Sequence, residues 1–148
     1  MKLAARALVG ISAAALAAMM GMSSAQAAAG NYHIEVRTCN VEDAGTDSRV
    51  EARLNGSAGS SAWILLDNPG DDRERGRTDV YDKTLSNLGS VNSIDIYFAN
   101  NDDSPHWCLE EITIRRPDGV TTVHPFHNWL TRVYPKSGST GPLRLNAA

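Results

Sequence analysis

From residue 30 onward, the apolar positions of the chain recur every second residue in short runs. Tyr32, Ile34 and Val36 alternate with His33, Glu35 and Arg37, so Tyr32–Thr38 is predicted as a strand. Arg49–Leu54 follows the same rule, with Val50, Ala52 and Leu54 on one face and Arg49, Glu51 and Arg53 on the other. Further strands are expected over 63–67, over 78–84 with Val80 inside, and over 93–99, where Ile94, Ile96 and Phe98 oppose Asp95 and Tyr97. A strand over 109–116 carries Ile112 and Ile114, the turn Arg116-Pro117-Asp118-Gly119 reverses the chain, and 120–127 returns as its hairpin partner. Helical periodicity is nearly absent. Seven or eight short strands at this spacing predict an all-β, antiparallel sandwich or barrel. The last segment, 134–148, holds Pro135, Gly138, Gly141 and Pro142 and is expected to fray or lie along the surface as a C-terminal tail.

Composition changes the picture mainly at the N-terminus. Lys2 and Arg6 precede an Ala-rich apolar run, and Ala25 and Ala27 flank a cleavage-like site, so residues 1–27 read as a secretory leader. The run is too short and too Ala-rich for a comfortable membrane span, and no second one follows, so no transmembrane segment is expected. A secreted, extracellular domain over 28–133 is the expectation, with a length that suits one core. Removing the leader takes Lys2 and Arg6 from the 14 basic residues and leaves 17 acidic ones, a formal charge of about −5. That excludes the usual electrostatics of nucleic-acid binding. It also argues against unaided attachment to an anionic bilayer, although a bridging cation would reverse that balance. Cys39 and Cys108 are the two cysteines. In an exported protein they are expected to pair, at about 4 kcal/mol by the chain-entropy model less any strain, with two buried thiols as the alternative.

Chemistry for catalysis is sparse. No Gly-x-Ser-x-Gly elbow occurs after the leader. His124 and His127 lie three apart on a strand and so point to opposite faces, which is wrong for chelation. Trp63 and Leu65 belong to the longest apolar run, Trp63-Ile64-Leu65-Leu66. They form either a lipid-touching surface or part of a buried strand, and alternation alone does not separate the two. Arg75 and Asp79 are candidates for an ion pair across a turn. The triplet Asn55-Gly56-Ser57 satisfies the N-glycosylation pattern.

A succession of motifs resembles the PLAT, or lipoxygenase-homology, domain family across nearly all of the chain after the leader. Ala44-Gly45-Thr46-Asp47-x-x-Val50 is similar to its AGTD-x-x-V turn. Glu74-Arg75-Gly76-x-x-Asp79-x-Tyr81 resembles RG-x-x-D-x-F, Pro105-x-Trp107-x-Leu109 the P-x-W segment, and Phe126-x-x-Trp129-Leu130 the closing F-x-x-WL. The opening strand, Leu54-x-Gly56 and Leu88-Gly89 fall in order between them. The resemblance implies a β-sandwich of two four-stranded sheets and a non-catalytic module that binds lipid surfaces or partner proteins, often with calcium. It also implies that the turn after the first strand and the loop before Trp107 share one end. There, Asn40, Glu42, Asp43, the Gly45 carbonyl and Asp47 would meet Asn100, Asn101, Asp102 and Asp103. Calcium takes six to eight such oxygens at about 2.3–2.6 Å, and a cation would offset the repulsion among crowded carboxylates. The ligand set expected from the resemblance is Asn40, Asp43, Gly45, Asp47, Asn101, Asp102 and Asp103. The chain departs from the family at Thr38-Cys39-Asn40, where the usual Thr-Gly-Asp places a carboxylate. With the two loops adjoining, Cys39 and Cys108 would bridge and lock that end.

The expected function is therefore a secreted, non-enzymatic module for a lipid or membrane interface or an extracellular protein, with calcium as the expected cofactor. Two alternatives stand beside it: a metal-independent protein-interaction domain, and a small secreted hydrolase, which the lack of a nucleophile–base motif opposes.

Overall fold

The computed structural model describes residues 28–102 and 106–148; the expected leader, residues 1–27, and Asp103 lie outside them. Nine strands form two antiparallel sheets with no helix among the described residues. The first sheet places β5 (Thr78–Leu85), β1 (Gly30–Thr38), β7 (Trp107–Arg115) and β8 (Thr121–Leu130) side by side. The second orders β3 (Gly59–Ser60), β2 (Val50–Gly56), β6 (Val91–Phe98) and β9 (Leu143–Asn146), and β4 (Ile64–Leu65) also pairs with β2.

The period-two pattern decides which side chains meet between the layers. Tyr32, Ile34 and Val36 of β1 face Val50, Ala52 and Leu54 of β2 and Ile94, Ile96 and Phe98 of β6 in one core, all fully or nearly fully buried. On β7 the spacing breaks. A register shift between Leu109 and Glu111 lets Leu109 and Ile112, three residues apart, both enter the core. Trp107 is buried at the head of that strand and donates its indole N–H to Thr38 Oγ1 at 3.1 Å. Its polar handle is thus satisfied without water. Gly56 lies so close to the Leu88 carbonyl oxygen that a Cβ would sit 2.0 Å from it, so a side chain there would push the 86–90 turn away.

Three expectations need correction. The second sheet holds five strands rather than four, because the tail contributes β9, paired from Ile96↔Leu143 to Ser93↔Asn146. Leu145 is buried, while Arg144 forks onto Asp95 at 2.7 and 2.9 Å. Leu-Arg-Leu is too short to register as alternation beside two prolines and two glycines. Val80 faces outward, and Tyr81 takes the core position with Asp79 on the same side. The bulk of the aromatic ring sets the parity of β5. Finally, Asp79 does not pair with Arg75. It accepts from the Arg73 backbone N–H at 2.6 Å and pairs with Arg77 at 3.0 Å.

Candidate binding rim at the loop end

β1, β6 and β8 finish, and β2, β5 and β7 begin, at one end of the sandwich. Four connecting segments gather there: 39–49, 66–77, 99–102 and 131–134. Cys39 and Cys108 form a disulfide, Cα atoms 5.4 Å apart and 69 residues apart in sequence. Backbone bonds extend the seam. Cys39 N–H donates to Cys108 O at 2.9 Å, and Cys108 N–H donates to Ala44 O at 3.0 Å. Ala44 is fully buried against the bridge, with Trp129 packed on it.

The acidic turn is built on this seam. Asp43 takes a left-handed conformation with φ of 56°, a region that Asp tolerates better than most residues. Gly45 passes under the backbone of the 66–77 loop, where a Cβ would sit 3.1 Å from Arg73 O. Thr46 N–H donates to that same carbonyl at 3.3 Å. The Arg73 guanidinium is buried and donates to the carbonyls of Leu66 and Ser48, which ties both loops from below.

The segments carrying the expected ligands meet through Asp102. Its Oδ2 accepts from Thr46 Oγ1 at 3.0 Å and from the Asp47 N–H at 2.5 Å. Asn101 N–H donates to Ser48 Oγ at 3.0 Å, and Arg49 N–H donates to Asn101 Oδ1 at 3.4 Å. The second oxygen of Asp102 and the side-chain oxygen of Asn100 are both buried atoms with no hydrogen-bond donor among the described residues. Two orphaned oxygens in one loop are unusual, since buried acceptors are nearly always satisfied. They match the donor chemistry of a hard cation.

The other expected ligands lie elsewhere on the rim. Asp43, Asp47 and Glu42 are exposed and line a groove of about 360 Å³ with Gly45, Glu74 and Arg75. Asn40 presents its side-chain oxygen to Arg75 Nε at 3.3 Å. Among the described residues, no three acidic, cysteine or histidine side chains gather closely enough to hold a metal ion. Asp47 also borders a second groove, with Arg49, Leu65, Asp67 and Asn101. Glu42, Asp43, Asp47, Asp67, Asp71, Asp72, Glu74 and Asp102 outnumber the cations of this end, Arg49, Arg73, Arg75, Arg77 and Arg132.

Apolar side chains stand among these charges. Val41 is 45% exposed and Val133 48%, each on a loop of the rim. In the 63–66 run the alternation separates the two readings. Ile64 and Leu66 are buried, Leu65 is 38% exposed at the edge of the second groove, and Trp63 is half-buried on the outer face. The motifs gave no hint of Val41 or Val133, because a single valine in a polar loop has no sequence signature.

The histidines are scattered. His124 is fully buried, and burial pushes its imidazole below the ordinary range. His127 is exposed beside Glu110 at 2.8 Å, and His33 lies between Asp82 and Glu35 at 2.8 and 3.2 Å. The amide of Asn55 is engaged by Ser60 in its hairpin and by Ser93 on β6.

A family model described as the PLAT/LH2 domain matches residues 32–137. Lipoxygenase homology domain-containing protein 1 of Mus musculus is 33% identical over 106 residues, covering 68% of this chain and 5% of its own length. The Homo sapiens protein of that name is 32% identical over the same coverage. The chain thus spans about one-twentieth of the curated relatives it matches. Among solved structures, a coral 8R-lipoxygenase described as calcium-activated through a C2-like domain aligns with a TM-score of 0.66 at 21% identity, over 80% of this chain and 17% of that one. A calcium-dependent 11R-lipoxygenase aligns at 0.58 and 23% identity, over 79% and 17%. The alpha toxin of Clostridium absonum aligns at 0.60 and 20% identity, over 86% and 33%.

Proposed function

The chain belongs to the PLAT/LH2 domain family, and from that premise we propose that it is a non-catalytic module whose loop end docks on a lipid surface with calcium as the bridge. The observation that carries this reading is the orphaned Asp102 oxygen in a rim otherwise tied together by hydrogen bonds and a disulfide. The donor types fit the ion. Asp102, Asp47 and the amide oxygens of Asn100 and Asn101 are the groups that would hold it, and the cation would offset the excess of carboxylates over arginines on this rim. Exposed Val41 and Val133 stand on the same rim and supply apolar contact with acyl chains, while the carboxylates alone would repel anionic headgroups. Calcium regulation of the coral 8R-lipoxygenase and of the 11R-lipoxygenase supports the choice of ion. The leader-like residues 1–27 support a site of action outside the cell. No helix among the described residues is long and apolar enough to cross a membrane, and attachment in this reading is peripheral.

Co-sedimentation with anionic vesicles, in millimolar calcium and in chelator, tests the proposal. Binding is expected only with calcium, and weaker in Asp102→Asn and in Val41→Ser. Equal binding in chelator removes calcium from the reading, and no binding in either condition leaves a protein partner as the ligand of the rim.

A further inference from the structure

On the outer face of the second sheet, joined to the rim through Arg49, we propose that Trp63, Tyr97 and Glu51 form a receptor for an alkylammonium ion, held closed by the chain's own Lys136. Glu51 and Tyr97 are direct cross-strand partners on β2 and β6, and Trp63 immediately precedes β4, which pairs with the other side of β2. The Lys136 ammonium sits 5.2 Å from the Tyr97 ring centre and 5.5 Å from that of Trp63. It donates to Glu51 Oε2 at 2.6 Å. An ammonium within about 6 Å of two aromatic rings is bound by their quadrupoles, the arrangement that recognises quaternary ammonium and methylated lysine.

A tether for the tail would need only the carboxylate. Here three groups from three segments converge on one ammonium, and the tail is anchored on both sides without it. Tyr134 bridges Phe98 just before, and β9 pairs with β6 just after. The intervening segment, 135–142, forms no strand and turns at Gly138 and Gly141, both with positive φ, so Lys136 is held to the sheet by its own side chain and not by strand pairing.

The charge balance favours a soft cation. The Glu51 side chain is only 5% exposed, and its other oxygen accepts from Arg49 Nε at 2.8 Å. With Lys136 withdrawn, Arg49 still covers the buried charge, and the remaining attraction comes mainly from the ring faces. A small, strongly hydrated ion gains little from those faces, whereas a tetraalkylammonium loses little water and gains both. Lys136 then acts as a tethered competitor, which masks the receptor from weak ligands.

The test measures tetramethylammonium and choline binding by calorimetry, with chelator present throughout, in wild type and Lys136→Gln. Because calcium is absent, failure here is separable from failure of the rim reading. Relieving the tethered competitor is expected to tighten binding about tenfold or more. In Trp63→Leu combined with Lys136→Gln the gain should vanish, and sodium chloride at matched ionic strength should not compete. A folded Lys136→Gln protein that binds neither ion better than wild type overturns the proposal. If that variant does not fold, wild type decides. Tetramethylammonium should shift the Lys136 side-chain and Trp63 indole NMR signals together, and no joint shift up to saturating salt overturns it. Vesicles with choline headgroups, compared with free choline, then identify the source of the ammonium: capture of vesicles by Lys136→Gln supports a headgroup, and binding of free choline alone supports a soluble ion.

Discussion

The two carboxylate oxygens of Asp102 stand in different surroundings. One accepts two hydrogen bonds that close the 39–49 loop onto residues 99–102, and the other has no donor among the described residues. Asp102→Ala should therefore cost on the order of 1–2 kcal/mol by urea unfolding, since bonds to a charged acceptor are worth more than neutral ones but this carboxylate is only half-buried. Asp102→Asn keeps an acceptor and should lose less stability while losing most of any calcium response, a split that melting with and without the ion reads directly. At this scale the sequence pointed to the right neighbourhoods. Carboxylates crowded around Ala44-Gly45 mark a special turn, but which oxygen accepts from which N–H depends on backbone directions that no residue type encodes. Arg73 illustrates the same limit. It reads as one arginine in a charged loop, yet it is buried beneath two loops and bonds two carbonyls.

Strands were legible wherever apolar residues alternated over five or more positions, as in β1, β2 and β6. They were not where the signal was short or shifted. β9 is four residues long, β3 two, and the register shift on β7 breaks the two-residue period. The outer face of the second sheet explains why β9 holds. Burial alone would raise the Asp95 and Glu51 carboxyls, but bonds from Arg144 to Asp95, and from Lys136 and Arg49 to Glu51, bring both below the ordinary carboxylate range. A carboxyl whose folded value is depressed adds stability that is full above its unfolded value and is lost as pH falls through the folded one. Stability should thus decline as pH drops below about 4, the ordinary value of such carboxyls in an unfolded chain. Arg144→Ala, followed by acid titration of the tyrosine and tryptophan signal, should flatten part of that decline and lower stability near neutral pH.

As a whole, the molecule is a single core with one end stapled. The Cys39–Cys108 bridge joins the end of β1 to the start of β7 and underlies the acidic turn. Reduction should cost about 2–4 kcal/mol, measured by urea unfolding with and without reductant, and the loss should include whatever order the rim contributes to ion binding. In the oxidised protein, millimolar calcium should raise the melting temperature, because an ion that binds only the folded form stabilises it by mass action. The alternation pattern carried an antiparallel sandwich or barrel, and the family resemblance carried the two layers and the shared loop end. The closing of the outer sheet by the tail lay beyond both. That closing has a consequence for anyone trimming the domain. The family match stops at residue 137, yet the strand covering the flank of β6 starts at Leu143. A chain cut at the family boundary would bare a ready template of backbone amides, and such a fragment should self-associate into aggregates or fibrils in concentrated solution where the intact protein stays dispersed.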